Sequence, residues 1–361
     1  MELYSHSNPI KSLSDLYTEF EDTDLKSKLE LYALWTIPSV FPEDAISNNR
    51  SGNAEIKHDY QSVGARLVNT LTSKLTATLF PYATSFFRVS ASQEVQAAIN
   101  QNNNNSIAKA TLTQIESSAN KALFYNASYA QLCQLVRLLI ITGNGLLVRR
   151  DQKCTVYSLK NYVLKRNGKG DVEHIIIREC LSMADMSDEV KAKAFPNNTE
   201  DNDSLHSHYI YTSVKHQYAV VNGREVPSWR VTQELNNVQL DTDEVYTEYD
   251  CPYIPVVWSL MNGDNYGRGY VEEYTGSFTR LSELSQRYTE YELEALKVLH
   301  VYNPAKNFDM YELQNSKSGD YVQGDPTALS VYEVGMYQKL QQVAADLSVL
   351  TQELEIAFMY L

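Results

Sequence analysis

Residues that active sites commonly rely on are scarce or badly spaced in this 361-residue chain. There are 4 cysteines, Cys133, Cys154, Cys180 and Cys251, too far apart for a CxxC or Cys/His zinc pattern. That density excludes a disulfide framework and fits reduced thiols in a cytoplasmic product. No GxxxxGK[ST], GxSxG or HExxH occurs, which removes the P-loop, the hydrolase elbow and the zincin helix. Basic side chains are also few: 31 against 45 acidic, a formal charge of -14. Proteins that clamp nucleic acid by neutralising it are usually basic, so a tight clamp is disfavoured. A surface that DNA slides past without sticking remains open. The start, MELYSHSNPIKSL, has no basic stretch followed by an apolar run, so no signal peptide is expected. The chain has no apolar run of membrane-spanning length, and Leu138 to Ile141 reads as a short core segment.

Weaker chemical signals have plainer readings. His206 and His208, with Asp203 and His216 nearby, lack a clear third ligand and read as surface histidines. Asp241, Asp243 and Glu244 lack the glycine and terminal glutamate of a calcium loop and read as a solvated turn. No Lys-Ser/Thr follows Tyr266-Gly267-Arg268-Gly269, so it reads as a strand-to-helix turn whose glycines supply positive φ. The pair Arg149-Arg150 is too short for a nucleic-acid patch. The expectation is a protein without catalytic residues, metal or cofactor.

What is present is structural. At 43% hydrophobic the chain can bury a sizeable core, in two or three domains or one large domain with extensions. Tyrosine is abundant at 26 copies, an amphipathic aromatic suited to interfaces. The pattern predicts an α+β fold, helices first and then a strand-rich layer. A helix capped by Ser14 and Asp15 carries Leu16 to Leu34 past a polar break at Asp22 to Asp24 and stops at Pro38. Helices follow over 61–79, near Gln93, over 107–124 and over 129–142, with a strand at Ser85 to Ser90 and a loop at Asn102 to Asn105. Strands are expected at 146–150, 155–159, 162–166, 174–179, 208–214, 218–221 and 229–233, with a short helix over 185–194. Pro196 to Ser204 reads as a loop.

The most informative stretch is Cys251 to Leu299. A strand (Ile254 to Leu260) enters a glycine-punctuated turn, and a long helix follows Gly276. Its seam is Phe278, Leu281, Leu284, Tyr288, Tyr291, Ala295 and Val298, close to a coiled-coil repeat. A last helix from Gln338 to Leu361 carries Leu340, Val343, Leu347, Leu350, Leu354 and Phe358. Seams this narrow ask for neighbouring helices. They make Phe278, Leu281, Leu284, Tyr288, Tyr291, Leu340, Val343, Leu347, Leu350 and Leu354 candidates for contacts between copies of the chain. A helix that reaches the last residue without a cap suggests a chain ending inside an element.

Seven tags in order carry a resemblance. They are Leu31-Tyr32-Ala33-Leu34 with Pro38 and Phe41-Pro42-Glu43-Asp44; Gln61-Ser62-Val63-Gly64-Ala65-Arg66 with Val68-Asn69 and Leu79-Phe80-Pro81; and Gly143-Asn144-Gly145-Leu146-Leu147. Then come Cys251-Pro252-Tyr253-Ile254-Pro255, Tyr266 to Tyr274, Gly319-Asp320-Tyr321-Val322 and Ala357-Phe358-Met359. Together they resemble the portal (head-to-tail connector) proteins of short-tailed bacteriophages. The resemblance implies a dodecameric ring at a capsid vertex, in the virion, through which double-stranded DNA passes without sequence specificity. Capsid protein, a tail adaptor and a packaging motor would be its partners, and no membrane is involved.

By position, residues 1–269 would be the wing, 270–300 the first stem helix, 301–335 the clip and 336–361 a second stem helix, with the crown absent. Arg280, Arg287 and Lys297 are candidates to line the DNA channel, the alternative being that they pair with glutamates of neighbouring subunits. Lys306, Asp309, Tyr311, Lys317 and Tyr321 are candidates to touch the tail adaptor. The rival readings are a monomeric scaffolding or ejection protein, or a small phage-encoded enzyme or binding domain.

Overall fold

The computed structural model describes residues 11–41, 56–82, 84–92, 105–125, 128–150, 153–183, 186–195, 207–221, 224–295, 298–303, 305–306, 309–333 and 337–360. The chain is α+β and divides into two compact units. The first holds Met1–His58, Ser62–Thr275 and Phe358–Leu361; the second holds Asp59–Gln61 and Gly276–Ala357.

In the first unit the opening helical segment is two helices, α1 (Leu13–Phe20) and α2 (Thr23–Trp35), because two side chains each start one. Ser12 Oγ, rather than Ser14 or Asp15, accepts from the Asp15 N–H at 3.2 Å, and Asp22 accepts from the Leu25 N–H at 2.9 Å. The polar break is thus a cap that ends one helix and begins the next. Helix α3 (Val63–Leu79) precedes α4 (Asn105–Tyr125) and α5 (Ser128–Thr142). The strand expected over Ser85 to Ser90 is absent: residues 84–92 form bends and irregular backbone, with the Val89 N–H donating to the Glu116 carboxylate at 2.7 Å. The helix expected near Gln93, the loop at Pro196 to Ser204 and His206 lie outside the described residues, as does Asn102 to Asn104.

Helix α5 leads directly into β1 (Asn144–Arg150), the centre of a three-stranded sheet with β2 (Lys153–Tyr157) and β8 (Tyr253–Val257). Leu132, Leu135 and Leu138 of α5 form a core with Val156. A five-stranded antiparallel sheet runs in sequence order from β3 (Tyr162–Arg166) and β4 (Val172–Ser182) through β5 (Ser207–Val221) and β6 (Arg224–Leu235) to β7 (Val238–Thr247). The segments expected at 208–214 and 218–221 are one continuous strand, paired from Ile210 opposite Leu235 to Val221 opposite Arg224. Tyr17 of α1 packs on Val163 and Ile176 of this sheet, and helix α6 (Asp188–Ala194) packs its Ala194 with Ile210, Leu235 and Leu240.

The acidic group Asp241, Asp243 and Glu244 is in strand β7, not a solvated turn. Asp243 accepts two hydrogen bonds from Arg230 on the neighbouring strand, at 2.7 and 2.8 Å. The turn is at Asn236-Asn237, where both residues have positive φ, 52° and 60°. A two-residue hairpin turn of this hand needs that geometry, and asparagine tolerates it. His208 stacks on Phe195, their ring centroids 4.6 Å apart, and no group of three or more potential metal ligands occurs among the described residues. No described helix is long and apolar enough to cross a membrane.

Candidate assembly surface

The path into the long helices starts at a glycine junction. Asn144, fully buried at the start of β1, makes three hydrogen bonds with its amide. Its Nδ2 donates to the Thr142 carbonyl at 2.8 Å and the Gly267 carbonyl at 2.7 Å, and its Oδ1 accepts from the Gly267 N–H at 2.7 Å. Gly143, at φ +73°, lies so close to the backbone of 268–269 that a Cβ would sit 2.3 Å from the Arg268 carbonyl carbon. Neither Gly267 nor Gly269 has positive φ, so the expected reason for these glycines is corrected. They are there for close approach: a Cβ on Gly269 would lie 2.7 Å from the Ile141 oxygen, and one on Gly267 2.9 Å from the Gly143 oxygen.

Beyond the junction the short helix α7 (Tyr270–Glu273) precedes α8 (Thr275–Ala295). Helix α8 ends earlier than the expected His300, since Val298–Tyr302 is a strand, β9, paired antiparallel with β10 (Leu329–Glu333). Val298 therefore belongs to the insert and not to the helical seam. Between those strands Asp309 caps the short helix α9 (Met310–Asn315), accepting from the Tyr311 N–H at 2.9 Å. Helix α10 (Tyr337–Ala357) then ends before the expected Leu361. Phe358 is back in the first unit, stacked on Tyr270 and Tyr274 with centroid separations of 5.1 and 5.4 Å. There Lys74 donates to the Met359 carbonyl and the Arg66 guanidinium lies 4.7 Å from the centre of the Tyr360 ring.

The seam residues divide. Phe278, Leu281, Leu350 and Leu354 are buried by this chain itself and are not open to a second copy. Leu284, Tyr288, Tyr291, Leu340 and Val343 are half-buried and line one groove of about 380 Å³ within the second unit, with Arg287, Glu290 and Glu294 also lining it. Leu347 is half-buried as well. The two seams thus turn toward a common groove in one chain. Only the four buried residues are thereby withdrawn from a contact with another copy; Leu284, Tyr288, Tyr291, Leu340, Val343 and Leu347 keep part of their surface open along the seams.

Of the channel candidates, Arg280 and Arg287 are exposed on α8, Arg287 pairing with Glu290 at 3.2 Å, and Lys297 lies outside the described residues. Of the adaptor candidates, Lys306 is held inside the insert by Asp325 at 3.3 Å and by Thr327, and Asp309 is occupied as a cap. Tyr311, Lys317 and Tyr321 are exposed, Tyr321 completely.

The sequence matches the family described as bacteriophage head to tail connecting protein over residues 13–360. The chain belongs to that family. It is 32% identical over 350 residues to the portal protein of Pseudomonas phage phiKMV, covering 96% of this chain and 66% of that one. To the portal protein of Escherichia phage T7 it is 26% identical, covering 91% of this chain and 60% of that one. To that of Enterobacteria phage T3 it is 28% identical, covering 83% and 55%. The chain thus spans between about half and two thirds of these connector-family relatives. Among solved structures, a chain of the virion of a native gene transfer agent particle aligns with 94% of this chain and 68% of its own length, at 11% identity and a TM-score of 0.40.

Proposed function

We propose that this chain is a portal subunit. Copies form a ring at a capsid vertex of the virion, double-stranded DNA passes through the ring during packaging and ejection, and tail proteins dock on its narrow end. The observation that carries the reading is the family match, which spans residues 13–360 and so takes in both units. The seams add less to it than their spacing suggested, since Phe278, Leu281, Leu350 and Leu354 are buried within one chain.

In this reading the first unit is the wing, α8 and α10 are the two stem helices, and the insert from Val298 to Glu333 is the clip. Capsid protein, a tail adaptor and a packaging motor are its partners, and the ring is a dodecamer. The exposed aromatics of the insert, Tyr311 and Tyr321, are the adaptor contacts, because large rings in water lose the most exposed area when covered. The acidic balance of the chain suits a conduit: phosphates meet few deep wells along a wall that is negative overall. Solution mass together with negative-stain images viewed along the particle axis tests the proposal. Rings with a central opening are the expected result, and a monodisperse monomer at micromolar concentration refutes it.

A further inference from the structure

Helix α10 has a second stripe that the chain leaves open. Gln342, Ala345, Val349, Gln352 and Ile356 recur at steps of three and four on the face opposite the buried Leu350 and Leu354. Val349 is 56% and Ile356 68% exposed. Asp346 and Glu353 run along one edge of this stripe, both exposed and seven residues apart, about 10 Å along the axis at the usual helical rise. Neither has a hydrogen-bond or ion-pair partner among the described residues.

Helix α8 has a matching feature. Its outer face carries a groove of about 680 Å³ lined by Gly276, Thr279, Arg280, Glu283, Leu284, Gln286 and Arg287. Gly276 leaves space there, since nothing lies within 4 Å of where its Cβ would be. Arg280 and Arg287 stand on the groove, also seven residues apart.

We infer that the outer stripe of α10 in one copy seats in the α8 groove of the next copy, with Asp346 and Glu353 facing Arg280 and Arg287. The inference rests on the ring reading above and names the surfaces that would close the ring. Two cations and two carboxylates at the same seven-residue period meet in register, and Val349 and Ile356 fill the space over Gly276 between them. Gln342 and Gln352 on the stripe can donate to Glu283, the one carboxylate in the groove. The contact joins different faces of the two copies, and repetition of such a head-to-tail contact generates a ring when the rotation closes. Arg280 and Arg287 then leave the channel lining.

The test is charge exchange in the whole chain, read by mass photometry and negative stain. Arg280→Glu with Arg287→Glu, and separately Asp346→Arg with Glu353→Arg, each raise the subunit concentration for half-assembly by about tenfold or more. All four changes together bring it back to within about threefold of the wild type. Val349→Asp with Ile356→Asp abolishes assembly while the circular dichroism spectrum of the monomer stays wild type, since both side chains are exposed. Rings that persist through either reversal or through the Val349/Ile356 pair overturn the contact while leaving the ring reading intact. Loss without rescue overturns the pairing of these four residues. A wild-type chain that stays monomeric overturns the ring reading, and this contact with it.

Discussion

Replacing Asn144 by alanine removes one amide and strands three backbone groups. The Gly267 N–H, the Gly267 carbonyl and the Thr142 carbonyl all bond to that side chain at 2.7 to 2.8 Å. Asn144 is fully buried, so water does not replace what is lost. An orphaned buried group costs about 1–3 kcal/mol. Counting the two Gly267 groups in the lower half of that range gives about 3 kcal/mol. For a unit of this size that is a fall of roughly 6 °C in the melting temperature of the first unit. Differential scanning calorimetry of the Asn144→Ala chain beside the wild type measures it.

Asn144→Asp sharpens the test, because the replacement has the same shape but puts a carboxylate oxygen against two carbonyl oxygens. The aspartate is less stable than the alanine variant at pH 8. The buried, repelled carboxyl has a folded pKa above its unfolded value of about 4, so the aspartate variant is most stable below that value and loses stability as pH rises through the folded pKa. A loss under about 1 kcal/mol for Asn144→Ala, or an aspartate variant that matches the alanine at pH 8, refutes the view that this amide fixes the entry to the first long helix.

Two further predictions concern the first unit. His174 sits between Phe20 and Ser213, its Nε2 2.7 Å from the serine hydroxyl, and burial pushes it from 6.5 down to about 4, with Lys215 and Lys165 adding to the shift. Its folded pKa is lowered, so the stability it confers is complete above pH 6.5 and is lost as pH falls toward 4, by about 3 kcal/mol in all. The urea midpoint followed across that window shows the fall, and His174→Gln flattens it; an unchanged slope in the variant rejects the assignment. Phe358→Ala removes a fully buried ring stacked on Tyr270 and Tyr274 and costs about 3–5 kcal/mol, whereas Phe358→Leu keeps more than half of that. Equal losses for the two variants in urea denaturation mean that ring contact, not volume, is what Phe358 supplies.

The parts of the fold that were legible are those where local chemistry and tertiary packing agree. Helix α3 shows its leucines at four-residue steps, and Phe80-Pro81 ends it; the structure gives Val63–Leu79. Strand β3 is found at the expected Tyr162–Arg166. Strand β7 was missed because half of its residues are charged or threonine, and cross-strand pairing, here Arg230 with Asp243, is invisible to a single-strand pattern. The signal that would have found it is Asn236-Asn237, a turn written in the residue type that tolerates positive φ. The segment over Ser85 to Ser90 shows the opposite error. Its Ser-Phe-Phe-Arg-Val-Ser pattern alternates like a strand, but its aromatics pack on other rings, Phe86 on Phe80 and Phe87, and no ladder forms.

The candidate surface was harder to read, because α10 carries two stripes with the same three-and-four spacing. Val343, Leu347, Leu350 and Leu354 form one; Val349 and Ile356, interleaved with Ala345, Gln342 and Gln352, form the other. Periodicity says that each wants a partner and is silent on which partner is in the same polypeptide. The degree of burial separates them: in the stripe richer in leucine Leu350 and Leu354 are buried and Val343 and Leu347 half-buried, whereas Val349 and Ile356 are exposed. The poorer stripe is what an assembly contact requires. A subunit that exposed a full leucine seam before meeting its neighbours would aggregate, whereas two aliphatic side chains set among glutamines and edged by Asp346 and Glu353 keep the monomer soluble and choose the register when the next copy arrives.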